Sequence, residues 1–302
     1  MDTKQILITG GTGFIGSYLC SELLKEGHFL TLITRSPDKY SEQQAENRKY
    51  IGWGNDELSD AIESADIVIN LVGENLFGQR WSESVKKQIY DSRIDSTREL
   101  AEGIRKAKNP PELFISASAV GIYGDSGNKE LNEGSTNGED FLANVCIDWE
   151  KEALKAQSNN VRVAIPRIGI VLEKDGGVVE KMLLPYKMFV GGPIGSGNQY
   201  VPWIHMRDLC NAILYPIENK TLSGPYNACG PNAATMNDLA KAMGRVMGRP
   251  SLFRVPEFAL NIALGEAAQP ILSSLNVKPK VLEVTGFEFD FADLEEALAD
   301  IL

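Results

Sequence analysis

QILITGGTGFIG occupies residues 5–16 and decides the fold of this chain. Residues 5–9 are an apolar run typical of a buried strand, and residues 17–26 have the apolar periodicity of a helix. Between them lies Gly11-x-Gly13-x-x-Gly16, a GxGxxG motif that follows a strand and opens a helix. This setting distinguishes a dinucleotide-binding fingerprint from a plain glycine-rich turn, because the glycines let the backbone approach a pyrophosphate. Free N–H groups at the start of the helix would hold the phosphates.

Composition narrows the class of protein further. The chain has 302 residues, 43% of them hydrophobic, and a net charge of −11. These values predict a soluble globular protein and argue against nucleic acid or an anionic membrane as a partner, since both attract basic surfaces. Four scattered cysteines and two histidines show no metal-ligand spacing, so we expect no metal site. With no signal-peptide or membrane-spanning pattern, we predict a cytoplasmic monomer or homodimer that acts on a small molecule.

Strand and helix patterns alternate as far as residue 172, where a strand predicted over residues 161–172 ends. This alternation predicts an α/β fold with a Rossmann-type, doubly wound parallel sheet. We therefore expect an NADP-binding domain over residues 1–172 and a smaller mixed α/β substrate lobe over residues 173–302. Residues 205–230 are expected to return to the first domain, and residues 250–302 to form a C-terminal helical segment. Residues 38–60 are polar and are predicted to be loop.

The end of the second predicted strand indicates which dinucleotide binds. An acidic residue there bonds the ribose of NAD, whereas an arginine accommodates the 2′-phosphate of NADP. The strand ends in Arg35-Ser36, without an acid. A guanidinium beside a hydroxyl suits a phosphate, so we predict NADP(H), although Arg35 could also be a solvated surface residue.

The fingerprint resembles that of the extended short-chain dehydrogenases/reductases, the superfamily of sugar-nucleotide epimerases and dehydratases. Later segments, including residues 70–75, Trp149-Glu150, residues 191–197 and residues 286–289, resemble the atypical branch called "epimerase family protein". This resemblance spans the chain and implies NADP(H) binding, but no settled reaction. The predicted cofactor site comprises Gly10, Gly11, Thr12, Gly13, Phe14, Ile15, Gly16, Arg35, Ser36, Asn70, Leu71, Val72, Gly73, Arg93, Ser116, Arg167 and Ile168.

The catalytic pattern of this superfamily is incomplete in the chain. Typical members use a serine and a Tyr-x-x-x-Lys pair, in which the lysine stabilises the tyrosinate that serves as base. Ser118 follows a strand at the position expected for the serine, but no tyrosine in the chain is followed four residues later by lysine. Tyr123, Lys87 and His205 are possible substitutes, and each could equally be structural.

Glycine-rich loops after residue 172 predict walls for a substrate site, with Gly192, Gly195 and His205 as its residues. Three functions remain open at this point. The chain could be an NADP-dependent oxidoreductase or epimerase with an altered acid and base. It could be an NADPH-binding regulatory or redox-sensing protein, or a conventional nucleotide-sugar epimerase, against which the missing Tyr-Lys pair argues.

Overall fold

The fold is taken from a computed structural model, which describes residues 2–54 and 56–302. The strands are β1 (Gln5–Thr9), β2 (Phe29–Ile33), β3 (Arg48–Ile51), β4 (Ile67–Asn70), β5 (Leu113–Ser116), β6 (Ser118–Ala119), β7 (Glu130–Leu131), β8 (Arg162–Ile168), β9 (Ile170–Leu172), β10 (Tyr200–Val201), β11 (Trp203–His205), β12 (Gly224–Ala228), β13 (Ala234–Thr235) and β14 (Asn276–Val277). The helices are α1 (Phe14–Lys25), α2 (Asp56–Ser64), α3 (Glu83–Lys106), α4 (Phe141–Leu154), α5 (Gly177–Lys187), α6 (Met206–Glu218), α7 (Met236–Met247), α8 (Glu257–Leu264), α9 (Gln269–Leu272), α10 (Lys280–Thr285) and α11 (Leu294–Ile301).

The main sheet has the strand order β12-β8-β5-β4-β1-β2-β3, and β6 extends it beside β8. Every pairing in this sheet is parallel. The strand order reverses between β1 and β4, which places a crevice at the carboxyl ends of these two strands. The prediction of a Rossmann-type sheet is confirmed, and the crevice lies directly above the fingerprint.

Helices cover both faces of the sheet, so the central strands β4 and β5 are buried along their whole length. On one face α1 and α6 pack through Leu19, Leu23 and Leu209. On the other face α2, α3 and α4 pack. Leu100 of α3, for example, belongs to the same apolar cluster as Phe114 of β5. Two separate apolar layers therefore hold the strand ends that form the crevice.

Two local predictions differ from the structure. The strand predicted over residues 161–172 is divided into β8 and β9 at Gly169, where a side chain would collide with the carbonyl oxygen of Pro202. Beyond this break β9 leaves the main sheet and pairs with β11. The loop predicted over residues 38–60 contains a 3-10 helix (Pro37–Gln43), β3 and the start of α2. Its many polar residues concealed these elements because β3 and α2 are buried on one side only and the 3-10 helix has no buried residue.

The later part of the chain forms a second apolar core from α5, α7 and α11, joined by Met182, Met243 and Leu298. Helix α8 differs from these helices, because none of its residues is buried although its sequence is largely apolar. Phe258 and Ile262 on this helix are 68% and 71% exposed. Within the described residues, no helix is both long and apolar enough to span a membrane.

Candidate cofactor and active site

The fingerprint turn has the geometry of a phosphate-binding loop. Gly10 has φ of 72°, and a Cβ at this position would lie 2.7 Å from the carbonyl oxygen of Leu71. A Cβ on Gly16 would collide with the carbonyl oxygen of Gly10, so α1 packs against the turn only because residue 16 is glycine. Gly13 precedes α1 and provides no side-chain cap. The first N–H groups of α1 are therefore available to an anion, which fits the pyrophosphate of a dinucleotide.

Asn70 ties together the strand ends below the crevice. Its Oδ1 accepts a hydrogen bond from Thr9 Oγ1 at 2.7 Å. Its Nδ2 donates to Thr97 Oγ1 at 2.8 Å and to Ser116 Oγ at 3.1 Å. These bonds connect β1, β4, β5 and α3, and they leave the amide of Asn70 fully engaged inside the protein. Asn70 and Ser116 thus support the floor of the crevice, while Leu71, Val72 and Gly73 continue from it.

Arg35 lies at the outer end of the crevice, directly after β2. Its side chain is 88% exposed, and its closest ionic neighbour is Glu74, 3.9 Å from Nη1. An exposed ion pair at this distance contributes little free energy. The guanidinium therefore remains available to donate hydrogen bonds to a phosphate. Ser36 precedes the 3-10 helix beside it. The location fits the 2′-phosphate of NADP.

Arg93 packs against the loop that follows β4. It donates to the carbonyl oxygens of Ile89 and Glu74, and its guanidinium lies 5.3 Å from the ring centre of Trp149. A Cβ on Gly73 would lie 2.9 Å from the guanidinium carbon of Arg93. The arginine therefore fixes the backbone of the loop that follows β4.

A buried polar cluster lies at the inner end of the crevice. Ser118 donates its hydroxyl proton to Oε1 of Glu150 at 2.7 Å. Arg167 donates to both oxygens of the same carboxylate, from Nε to Oε1 at 2.8 Å and from Nη2 to Oε2 at 2.9 Å. Burial alone lowers the pKa of Arg167, but the bonds to Glu150 outweigh it and raise that pKa above its usual value. Arg167 and the Ser118 hydroxyl therefore both bond to the carboxyl group of Glu150 inside the protein.

Tyr123 belongs to the same cluster, but its hydroxyl already donates one hydrogen bond and accepts another. Its hydroxyl donates to Asn227 Oδ1 at 2.7 Å and accepts from Arg167 Nη1 at 2.9 Å. Burial raises the pKa of this phenol above its ordinary value, despite the opposing effect of Arg167. Tyr123 therefore remains protonated, and its proton is directed at Asn227. The amide Nδ2 of Asn227 reaches on to the carbonyl oxygen of Lys278 in the C-terminal segment.

The structure brings Ser118, Tyr123 and Arg167 together, but it does not add Lys87. Lys87 Nζ is paired with Asp91 at 2.6 Å on a 73%-exposed side chain of α3. Sequence reasoning missed Glu150 and Asn227 because Glu150 lies 32 residues from Ser118 and Asn227 lies 104 residues from Tyr123 along the chain. The Trp149-Glu150 pair on the helix that lacks the Tyr-Lys motif was the available signal.

The predicted substrate residues lie in packed surroundings. Gly192 is buried, and a side chain there would collide with the carbonyl oxygen of Phe253. Gly195 has φ of 65°, with a possible Cβ 2.7 Å from Leu272. The backbone around both glycines is paired with residues 253–255. These glycines therefore shape the second lobe through close backbone contacts.

His205 connects α6 to the C-terminal segment. It is 2% exposed, its Nδ1 accepts from the N–H of Arg207, and its ring packs 3.9 Å from that of Phe291. Its Nε2 lies 3.3 Å from Asp300 without hydrogen-bond geometry. Burial lowers the pKa of His205, and the opposing effect of Asp300 is smaller.

Neutral His205 should make the protein sensitive to acid. The unfolded imidazole takes up a proton near pH 6.5, whereas the folded one does so only at lower pH, so stability falls as pH drops from about 6.5. His205→Asn keeps a good helix cap and should show a shallower loss of stability. Urea unfolding of both proteins at about pH 7.5 and about pH 5.5 tests this. Parallel losses in the two proteins would contradict it.

Comparison with known proteins identifies the family to which this geometry belongs. Residues 6–229 match the NAD dependent epimerase/dehydratase family. This range runs from the second residue of β1 to beyond β12, so it includes almost all of the main sheet and the crevice. The chain belongs to this family. Residues 255–301 match a second family, described as a domain of unknown function (DUF1731).

Full-length relatives place the chain within a narrower branch. Epimerase family protein YfhF of Bacillus subtilis is 39% identical over 301 residues, covering 99% of this chain and 98% of the relative. Epimerase family protein SDR39U1 homolog, chloroplastic, of Arabidopsis thaliana is 38% identical and covers 98% of this chain and 86% of the relative. The resemblance to "epimerase family protein" is confirmed. The cytoplasmic location stays a prediction.

A solved structure agrees with the fold of the whole chain. The human epimerase family protein SDR39U1 (isoform 2), crystallised with NADPH, is 34% identical and superposes with a TM-score of 0.89. The match covers 98% of both chains. The epimerase family fold thus extends through the C-terminal segment as well as the sheet.

Proposed function

We propose that this protein binds NADP(H) and is an oxidoreductase whose proton transfer uses Ser118 and Glu150 in place of a Tyr-Lys pair. The observation that carries the proposal is the 2.7 Å bond from Ser118 to the buried carboxyl group of Glu150, which Arg167 also bonds, at the inner end of the crevice. The substrate is a small molecule of unassigned identity. The family relationship supports the cofactor, and the polar cluster supports the chemistry.

The choice of cofactor rests on the start of α1 and on Arg35. The uncapped start of α1 suits a pyrophosphate, and Arg35 suits the additional 2′-phosphate of NADP. The human relative was crystallised with NADPH. Gly10 to Gly16, Arg35 and Ser36 would hold the nucleotide, and the segment from Leu71 to Gly73 would line its path.

Arg35→Glu should remove the preference for NADPH over NADH. The change replaces a charge-assisted bond to the 2′-phosphate, worth about 1.5–3 kcal/mol, with repulsion, so NADPH affinity should fall at least about tenfold. NADH affinity should change little. Titration calorimetry with both cofactors measures the effect.

Lys49→Glu is the matched control, because it makes the same charge change at the exposed position of β3. It should leave both affinities close to those of the native chain. Equal affinities of the native chain for NADPH and NADH would contradict the proposed role of Arg35.

The nicotinamide ring, when bound, supplies or accepts the hydride at the substrate carbon. Ser118 handles the accompanying proton at the substrate oxygen. During oxidation, Ser118 Oγ accepts the hydroxyl proton of the substrate while its own proton passes to Oε1 of Glu150. During reduction, these transfers reverse. A positioned acid or base of this kind contributes typically about 10²–10⁴-fold to the rate.

Arg167 positions the Glu150 carboxylate for this proton transfer. Its two bonds hold the Glu150 carboxylate in place, with Oε1 within reach of the Ser118 hydroxyl. The hydroxyl of Tyr123 accepts a further bond from Arg167 Nη1 and helps to orient the guanidinium, while Asn227 in turn accepts the proton of Tyr123.

This arrangement should not support ordinary C4 epimerisation of sugar nucleotides. That reaction requires a strong base beside the substrate hydroxyl, and helix α4 presents Cys146 and Glu150 one turn apart where a Tyr-Lys pair would be expected. Burial and the nearby Glu150 charge raise the pKa of Cys146 to about 12, so this thiol is not a base. UDP-hexose assays with NADP or NAD should therefore show no epimerisation. Turnover in the ordinary range of about 1–10³ s⁻¹ would overturn this expectation.

A second candidate function is regulatory NADPH binding with little turnover. It is favoured by the burial of Ser118, which is only 1% exposed. Tight NADPH binding, together with no NADPH consumption across a broad panel of small carbonyl compounds, would favour this alternative. Consumption that depends on Ser118 would favour the oxidoreductase.

A further inference from the structure

Exposed apolar side chains are concentrated in two segments of the second lobe. Of the twelve large apolar residues that are exposed in the described part of the chain, nine lie within residues 184–190 and 252–262. We call these nine side chains the apolar patch: Leu184, Met188, Phe189, Val190, Leu252, Phe253, Val255, Phe258 and Ile262. The exposed side of the long helix α3 instead carries ion pairs, as a solvated surface does. Single exposed apolar residues are ordinary, but a cluster of this size marks an interaction site.

The two segments of the apolar patch are neighbours in space. The N–H of Phe253 donates to the carbonyl oxygen of Gly191 at 3.1 Å, so the second segment lies beside the residues that follow α5. The guanidinium of Arg249 lies 4.4 Å from the ring centre of Phe189, which adds a side-chain contact between the segments. On α8 the two exposed apolar residues are four positions apart and share one side of the helix. The patch therefore forms one surface from the end of α5 to α8.

Phe189 adopts a backbone conformation that is unfavourable for its side chain. Its φ is 62°, and within residues 2–54 and 56–302 no other non-glycine residue has a positive φ. A bulky side chain crowds its own backbone in this region, where glycine or asparagine is usual. The phenyl ring is nevertheless present, and 53% of the residue is exposed. Strain of this kind is typical of residues that contact a partner.

The area of the apolar patch matches one side of a protein–protein interface. If a fully exposed large apolar residue has about 150–200 Å², exposed fractions of 38–79% leave roughly 900 Å² of the patch accessible. The largest apolar patch on a typical monomer has about 300–600 Å², whereas a stable interface of standard size takes about 800 Å² from each partner. Two copies of the patch therefore supply the area that a homodimer needs.

Charges at the apolar patch favour a second copy of this chain as the occupant. Arg254 and Glu257 are exposed, and neither forms an ion pair with another residue that the structure describes. Arg254 donates only to the carbonyl oxygen of Ser196, at 2.6 Å. A two-fold axis uses each contact twice, so Arg254 of each copy can meet Glu257 of the other. An anionic membrane is a poorer match, because the chain has a net charge of −11.

We propose that the protein forms a two-fold homodimer through the apolar patch, with Arg254 of each copy paired with Glu257 of the other. The apolar side chains form the buried centre of the interface, and the two ion pairs lie at its edge. The dimer is independent of the proposed hydride transfer, because no residue of the patch takes part in that chemistry.

Sedimentation equilibrium of the full chain tests the proposal. The native chain should dimerise with Kd of about 10 μM or tighter. Phe258→Glu places a charge in the interface of both copies and should weaken the dimer at least about thirtyfold. Val284→Glu is the matched control, because Val284 is 73% exposed on α10 and lies outside the patch, and it should leave Kd unchanged. A native chain that stays monomeric at about 100 μM, or a Phe258→Glu variant with native Kd, would overturn the proposal.

Circular dichroism verifies that each variant is folded. If Phe258→Glu does not fold, Ile262→Glu on the same side of α8 replaces it, with the same expected loss of dimer and the same contradicting result.

Charge reversal identifies the second copy as the occupant. Arg254→Glu and Glu257→Arg should each weaken the dimer at least about fivefold, because like charges then meet at two places. The double variant restores both pairs in reversed order, so its Kd should return to within about twofold of the native value. Kd that stays as weak as in the single variants would reject the paired arrangement. A monomeric chain that floats with anionic vesicles, and loses this binding in Phe258→Glu, would assign the patch to a lipid surface and overturn the homodimer.

Discussion

Glu150→Ala is expected to lower the free energy of unfolding by about 3–5 kcal/mol, because it leaves the buried guanidinium of Arg167 without its counter-charge. The side chains of Arg167 and Glu150 are only 6% and 9% exposed. Without the carboxylate, the guanidinium keeps Tyr123 as a partner but loses its counter-charge, and the hydroxyl of Ser118 loses its acceptor. Urea unfolding at neutral pH, followed by circular dichroism, measures the loss.

Glu152→Ala is the matched control on the same helix. Glu152 is also largely buried, but its partners Lys155 and Arg98 have 44% and 42% exposed side chains. Both cations remain solvated when Glu152 is removed, so the cost should not exceed about 1 kcal/mol. Similar losses for the two variants would show that the Glu150–Arg167 pair has no special importance for stability.

Ser118→Ala is expected to reduce turnover of any accepted carbonyl substrate by about 10²–10⁴-fold while leaving NADPH affinity unchanged. The substitution removes the only hydroxyl that donates to Glu150 among the described residues. Alanine fits the space of serine, so the sheet should remain intact. Consumption of NADPH, measured by its absorbance with a substrate found in the carbonyl panel, gives kcat and KM separately.

Ser126→Ala supplies the control, because its hydroxyl donates only to nearby backbone carbonyls of Tyr123 and Gly124. This variant should keep native turnover. If Ser118→Ala retained full kcat as well, proton transfer would belong to another group. A fall in kcat that Ser118→Thr partly restores would support a hydroxyl-dependent step rather than a packing effect.

Local pattern was sufficient to predict the sheet, whereas the role of Arg35 at the outer end of the crevice stays a prediction. Residues 5–16 encode a strand, a turn and a helix in one continuous stretch, and Arg35 follows the next strand, so their roles depend on short-range order. The prediction at Ser118 was similarly local. The structure adds that its hydroxyl is engaged by a carboxylate.

Long-range contacts account for what sequence reasoning missed. Glu150 meets Ser118 only after α4 folds back over the sheet, and the separation of 32 residues along the chain shows no pattern that reveals this. Tyr123 illustrates the same difficulty, because its acceptor Asn227 lies 104 residues away. An unassisted serine hydroxyl was a poor candidate for a base, and the contact with Glu150 changes that chemical assessment.

Strand β12 has a consequence for synthesis on the ribosome. This edge strand pairs along the full length of residues 164–168 of β8, yet it is made about sixty residues later. During translation, the outer edge of β8 therefore stays unpaired while the rest of the sheet is already able to form. Unpaired edges recruit other strands, so the nascent chain should need protection by chaperones until residue 228 emerges. A chain terminated at residue 172 would carry this exposed edge permanently and should aggregate.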